Sequence, residues 1–252
     1  MATQVEIQGQ AARALPTAIA ADGTVDQPVR LNEYRELVMA NQTPPTNHQL
    51  ANEGSYYIVT TPTPGTGLAS DIKTSYSATV PFAYIFNSGL SGGRSDLRVF
   101  LDYIKLIVTV APASTTQSHW ALVLDTAARA ITTDNTTAMT PKSPNGIITA
   151  TGAVSVFKSQ SSGTASAIAG ATNGRVVGRG TWGGLPIIGD ELVIACGKHV
   201  DGYAGTSVTA RKVSNAPPVI IGPGQSLTLF TWWVSNASTG LSYELEAGYW
   251  ER

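Results

Sequence analysis

Charge is scarce in this chain. Only 13% of its 252 residues are Asp, Glu, Lys or Arg, and the formal net charge is −1. That is roughly half the charged share of an ordinary soluble domain. A chain with no basic field lacks the electrostatic means of collecting nucleic acid, so no nucleic-acid partner is expected. Cysteine is scarcer still. Cys196 stands alone, so no disulfide can close within the chain. It ends the apolar run Leu192-Val193-Ile194-Ala195-Cys196 and reads as a small core residue of a buried strand. Long apolar stretches are missing, and none approaches the roughly 20 residues of a membrane span. The opening Met1-Ala2-Thr3-Gln4-Val5-Glu6 lacks the basic and apolar regions of a signal peptide. The expectation is a soluble protein made in a cytoplasm, with no membrane partner. In that setting the sequons at Asn41, Asn135 and Asn236 are chance matches.

Catalytic and ligand-binding signatures are missing as well. The three histidines, His48, His119 and His199, are not spaced with Cys, Glu or one another as metal ligands. Ser is plentiful, but no Gly-x-Ser-x-Gly elbow marks one as a nucleophile. Gly178-Arg179-Gly180 and Trp182-Gly183-Gly184 lack the Gly-Lys-Ser/Thr and helix context of a phosphate loop, and read as turn glycines. Asp125, Asp134, Asp190 and Asp201 are scattered, not grouped as one calcium loop. No catalytic residue, cofactor or metal is assigned, and an enzyme is the least favoured class.

Apolar residues make up 42% of the chain, enough for a substantial core. The first 52 residues differ from the rest and read as an arm. Within it, Asp26 to Ala40 carries the one helical pattern. Leu31, Tyr34, Leu37 and Val38 form an apolar stripe, Asn32 is a plausible N-cap, and Thr43-Pro44-Pro45-Thr46 is the stop. The arm docks either on a neighbouring subunit or on its own domain.

From residue 53 onward the pattern is β, with about eleven candidate strands spaced by turn signals as in a sandwich or barrel. Candidates include Ser55 to Thr61, Tyr76 to Phe86 with Pro81 inside, Ser118 to Asp125, Ala130 to Thr133, Ile147 to Phe157, Arg175 to Trp182, Glu191 to Cys196 and Ala204 to Val213. Thr136 to Gly146 and Lys158 to Gly174 read as loops. In Leu97 to Val110 the apolar parity switches near Tyr103, which predicts a bulge or bend. The end of the chain is the clearest stretch. Gly222-Pro223-Gly224-Gln225 is a turn, Ser226 to Ser235 a strand, and Leu241 to Trp250 alternates with period two. The two strands read as an antiparallel hairpin with one wet face. Trp232 and Trp233 fall on opposite faces, and Trp250 shares the Glu244/Glu246 face. An outward Trp meets either a partner or a covering layer.

The Ala/Gln-rich arm, the Thr/Ser/Gly-rich strands, the VIIGPGQSLTL segment of Val219 to Leu229 and the EAGYWER ending of Glu246 to Arg252 resemble virion structural proteins of tailed bacteriophages. The resemblance implies an all-β, antiparallel β-sandwich of jelly-roll-like form with an N-terminal arm carrying one short helix. It also implies self-assembly, often as a homotrimer, and attachment to the major capsid protein or other virion proteins in a bacterial host. No long helix is present, so an accessory decoration or cement protein is expected before a main shell subunit. The alternatives are a self-assembling jelly-roll coat protein, and a tail or fibre module binding a host glycan through exposed aromatics such as Trp182 or Trp250. The expected interface residues are Leu31, Tyr34, Leu37, Val38, Trp232, Trp233 and Trp250.

Overall fold

The computed structural model describes residues 17–19, 25–28, 46–69, 75–89, 96–111, 117–127, 129, 136–147, 153–160, 173–182, 186–200, 211–234 and 242–252. In chain order the elements are β1 (Thr17–Ile19), β2 (Val25–Pro28), α1 (Thr46–Asn52), β3 (Tyr56–Thr60), β4 (Leu68–Ala69), β5 (Ala83–Asn87), β6 (Val99–Val110), β7 (Gln117–Asp125), β8 (Thr136–Met139), β9 (Ser155–Gln160), β10 (Arg175–Trp182), β11 (Glu191–Cys196), β12 (Arg211–Ala216), β13 (Val219–Ile221), β14 (Ser226–Val234) and β15 (Ser242–Glu251). Two compact units result, Met1–Thr46 and Asn47–Arg252. In the first, β1 pairs with β2.

The second unit is an all-β sandwich. A six-stranded sheet runs β10-β7-β14-β5-β9-β8. A seven-stranded sheet runs β12-β11-β6-β15-β3, with β13 beside β6 and β4 beside β15. The pairs are antiparallel except β11–β12, which is parallel. Period-two alternation sends Leu227, Leu229 and Trp233 from β14 into one core with Tyr243, Leu245, Ala247 and Tyr249 from β15. Burying each such large side chain contributes about 1.5–3 kcal/mol relative to leaving it in water. On β6 the inward residues are Val99 and Leu101, then Ile104, Leu106 and Val108. The parity switch falls at Asp102, which β15 skips by pairing Gly248 with Tyr103 and Tyr249 with Leu101. The expected bulge is therefore real, and it turns a carboxylate out of the ladder.

The C-terminal strands are not a hairpin. β14 lies in the six-stranded sheet between β7 and β5, and β15 lies in the other sheet between β6 and β3. Their apolar faces meet across the core, where Trp233 stacks on Tyr243 at 6.1 Å. The turn before β14 is as expected. Gln225 N–H donates to Gly222 C=O at 3.0 Å, and Gly224 takes φ +74°.

Most of the expected helix, residues 29–40, lies outside the described residues; Asp26–Pro28 belong to β2, and the one helix among the described residues is α1. A left-handed Gly54, φ +78°, ends α1, and Ser55 N–H bonds back to Leu50 C=O at 3.0 Å. Asn47 and Leu50 are tied into the sandwich, and the unit boundary falls just after the helix's first residue, Thr46. Residues 75–80 are loop and only Ala83–Asn87 is strand, consistent with Pro81 lacking a donor. Thr136–Met139, expected as loop, pairs with β9. Strand β9 begins only at Ser155, with Ile147 exposed in a turn. Strand β12 begins at Arg211 and ends at Ala216. The candidate strand 130–133 lies outside the described residues.

Candidate functional site

Strands β10, β7 and β14 lie side by side, with Trp120, Leu122, Leu229 and Trp233 facing the core. Their opposite parity faces out. Val123 and Phe230 form a second, small apolar cluster there with Trp232. The loop before β5 brings Tyr76 edge-on to Phe230 at 5.2 Å and to Trp232 at 5.5 Å, the latter at 69°. His119 stacks on Trp232 at 5.4 Å and hydrogen-bonds through Nδ1 to Thr181 Oγ1 at 3.0 Å. The Arg129 guanidinium lies 5.8 Å over Phe230. Between these rings and the edge strand runs an open groove of about 530 Å³. Buried Ala121 on the central strand forms its bottom, with Tyr76 and Trp232 on the β14 side and Val176 and Arg179 on the β10 side. Val176 is 58% exposed and Tyr76 43%, so the groove presents apolar surface to water. Partial burial raises the Tyr76 hydroxyl pKa, with Arg129 opposing, so the ring stays neutral.

The outer face of the other sheet carries a polar cluster. Asp102, 5% exposed, accepts from Tyr56 OH at 2.9 Å, Asn47 Nδ2 at 3.0 Å and Lys198 Nζ at 2.8 Å. Lys198 Nζ also lies 5.8 Å over the Tyr103 ring. Tyr103 OH donates to Glu246 at 2.7 Å, and Lys105 Nζ pairs with Glu246 at 2.8 Å. Burial first, then the Asp102 charge and hydrogen bond, drives the Tyr56 hydroxyl well above its ordinary range. Burial, assisted by Asp102 and opposed by Lys198, pushes the Cys196 thiol up to about 12. A thiol held so far from its thiolate is inert, so Cys196 is packing. The cluster is a fastening: it joins α1, β3, β6 and the turn after β11 through one saturated carboxylate. Glu251 does the same at the chain's end, accepting from Val154 N–H at 2.9 Å and Ser155 N–H at 3.0 Å.

No protein-family model, curated protein or solved structure matches this chain. Its site must be read from its own residues. Among the described residues, no group of three His, Cys, Asp or Glu could hold a metal, and no helix is long and apolar enough to cross a membrane.

The structure separates the residues expected at an interface. Trp233 is 0% exposed in the core of its own chain, so it cannot meet a partner. Trp182, a proposed groove aromatic, is likewise core. Trp250 is half-buried and lies flat on Phe100 at 5.6 Å and 4°. Trp232 alone of these lines the groove. Leu31, Tyr34, Leu37 and Val38 lie outside the described residues. The histidines sit on different elements: His48 exposed on α1, His119 on β7, and His199 beside Asn215 at 3.1 Å. Sequence reasoning missed Tyr76, Val176 and Arg179, because a loop residue and an edge strand meet only through folding. It could have found Asp102, which stands at the parity switch of β6.

Proposed function

We propose that the protein is a structural component of a bacteriophage virion, a decoration or cement protein that stabilises a capsid through contacts between subunits. The observation that carries the reading is the division of the chain. The sandwich, Asn47–Arg252, is accompanied by a second compact unit, Met1–Thr46, to which this reading gives a contact of its own. A charge-poor surface suits contacts repeated many times over a shell, since they neither repel nor depend on salt. The outward rings at Trp232 and Tyr76 are further surface of the kind that associates. In this reading the working form is a small homo-oligomer, a trimer in the first instance, bound to the major capsid protein. The chain carries no chemistry.

Light scattering on the full-length protein after size-exclusion chromatography tests the reading first. A discrete small oligomer that co-sediments with empty capsids is expected. Removal of residues 1–46 should abolish co-sedimentation while leaving the β signal in circular dichroism. Megadalton particles formed without another protein would make it a coat protein instead. Unchanged capsid binding by the truncated chain would remove the role given to the arm.

A further inference from the structure

The groove on the six-stranded sheet has features that association alone does not require. Its bottom strands are already paired with each other, β10 with β7 from Arg175 to Trp182 and β7 with β14 from Gln117 to Asp125. The backbone groups between these strands are used in that pairing, so an extended peptide lying over the groove's bottom finds no ladder there. Recognition must run through side chains. At about 530 Å³ the space falls in the range of small-ligand sites. It is open along its length, so a ligand lying in it keeps one side in water. Tyr76 and Trp232 stand at 69°, offering the face of one ring and the edge of the other. Val176 extends the apolar surface on the opposite wall.

Arg179 supplies the charge. It is exposed and has no hydrogen-bond or ion-pair partner among the described residues. Among the described residues no acidic side chain lines the groove. A planar guanidinium with its donors unpaired is shaped for a carboxylate. The ligand that answers both requirements has an apolar C–H face, a hydrated rim of hydroxyls and a carboxylate. We propose that this groove is a saccharide site for a uronic-acid-bearing chain, with Tyr76 and Trp232 taking the sugar face and Arg179 the carboxylate. The assignment does not rest on the protein's being a decoration protein, since capsid attachment is read by a separate assay.

The test uses the full-length chain and oligogalacturonate as the probe, followed by tryptophan fluorescence and calorimetry at low salt, with a neutral galacto-oligosaccharide as the comparison. The acidic sugar should bind at least roughly tenfold more tightly than the neutral one, the effect of one charge-assisted contact. Arg179→Gln, a change at an exposed side chain, should erase that preference. Tyr76→Ala should weaken both sugars, with circular dichroism confirming that the sandwich is intact. Absence of binding to the acidic sugar overturns the proposal. So does binding that neither variant alters, which would place the sugar elsewhere. A polyglutamate peptide that competes equally and is blocked by the same variants would show a carboxylate site with no preference for sugars, and would overturn it too.

Discussion

A carboxylate as enclosed as Asp102 keeps its charge only while donors surround it. Its three donors are not equivalent. Tyr56 is buried, whereas the Lys198 side chain is 42% exposed and can turn to water. Asp102→Ala should therefore cost about 1–3 kcal/mol, chiefly by stranding the Tyr56 hydroxyl. Lys198→Met should cost less than about 1 kcal/mol. Urea denaturation of both variants checks this, and equal losses would contradict it. Alkali offers a second check. Cys196 and Tyr84 both rise to about 12, mainly through burial, from ordinary values of 9.0 and 10.0. The folded state holds these protons more tightly than the unfolded state. Their contribution to stability is thus complete below about pH 9 and is lost as pH climbs towards 12. The melting temperature should fall across that window, and Cys196 should resist thiol reagents at neutral pH until the protein unfolds. A flat alkaline profile would show that these groups are more open than the packing indicates.

Strand β10 shows why glycine was required where the sequence offered only a glycine-rich cluster. A Cβ at Gly180 would lie 2.7 Å from Trp120 Nε1, and one at Gly178 would lie 3.2 Å from Trp120 and 3.3 Å from Ala216. Trp120 is buried and cannot retreat. Gly180→Ala should cost about 1–3 kcal/mol. Gly146→Ala, with nothing within 4 Å of the added carbon, should stay within about 0.5 kcal/mol. Denaturant midpoints of the two variants compare them directly. At this scale the sequence was informative where periodicity was long. The strands of β6, β7, β10, β11, β14 and β15 are legible because each must send alternate side chains inward. The Asp102 bulge was legible as a parity switch. Helix α1 was not, being one short segment whose Gly54 stop is its only local signal. Strand β8 was not legible either, because its β structure comes from pairing with β9.

At the scale of the whole molecule, the two compact units predict that removal of residues 1–46 leaves a cooperatively melting sandwich. Its denaturation midpoint should stay close to that of the intact chain, because Asn47 and Leu50 remain to fasten α1. A truncated chain that fails to melt cooperatively would mean that the core depends on the arm.

The sequence by itself determined that this chain is all-β, poor in charge and with an N-terminal segment of different pattern, because alternation and composition are local properties of the chain. That the strands form a sandwich and not a barrel was decided by the tertiary structure. Nor could the sequence determine which strands are neighbours. β14 and β15 carry matching apolar faces, and two such faces can be satisfied side by side or across a core. Only the competition of every other strand for the same edges placed them in opposite sheets. The groove follows from that placement. Tyr76, Ala121, Arg179 and Trp232 are far apart in the chain, and what brings them together is the order β10-β7-β14 with a loop folded over it.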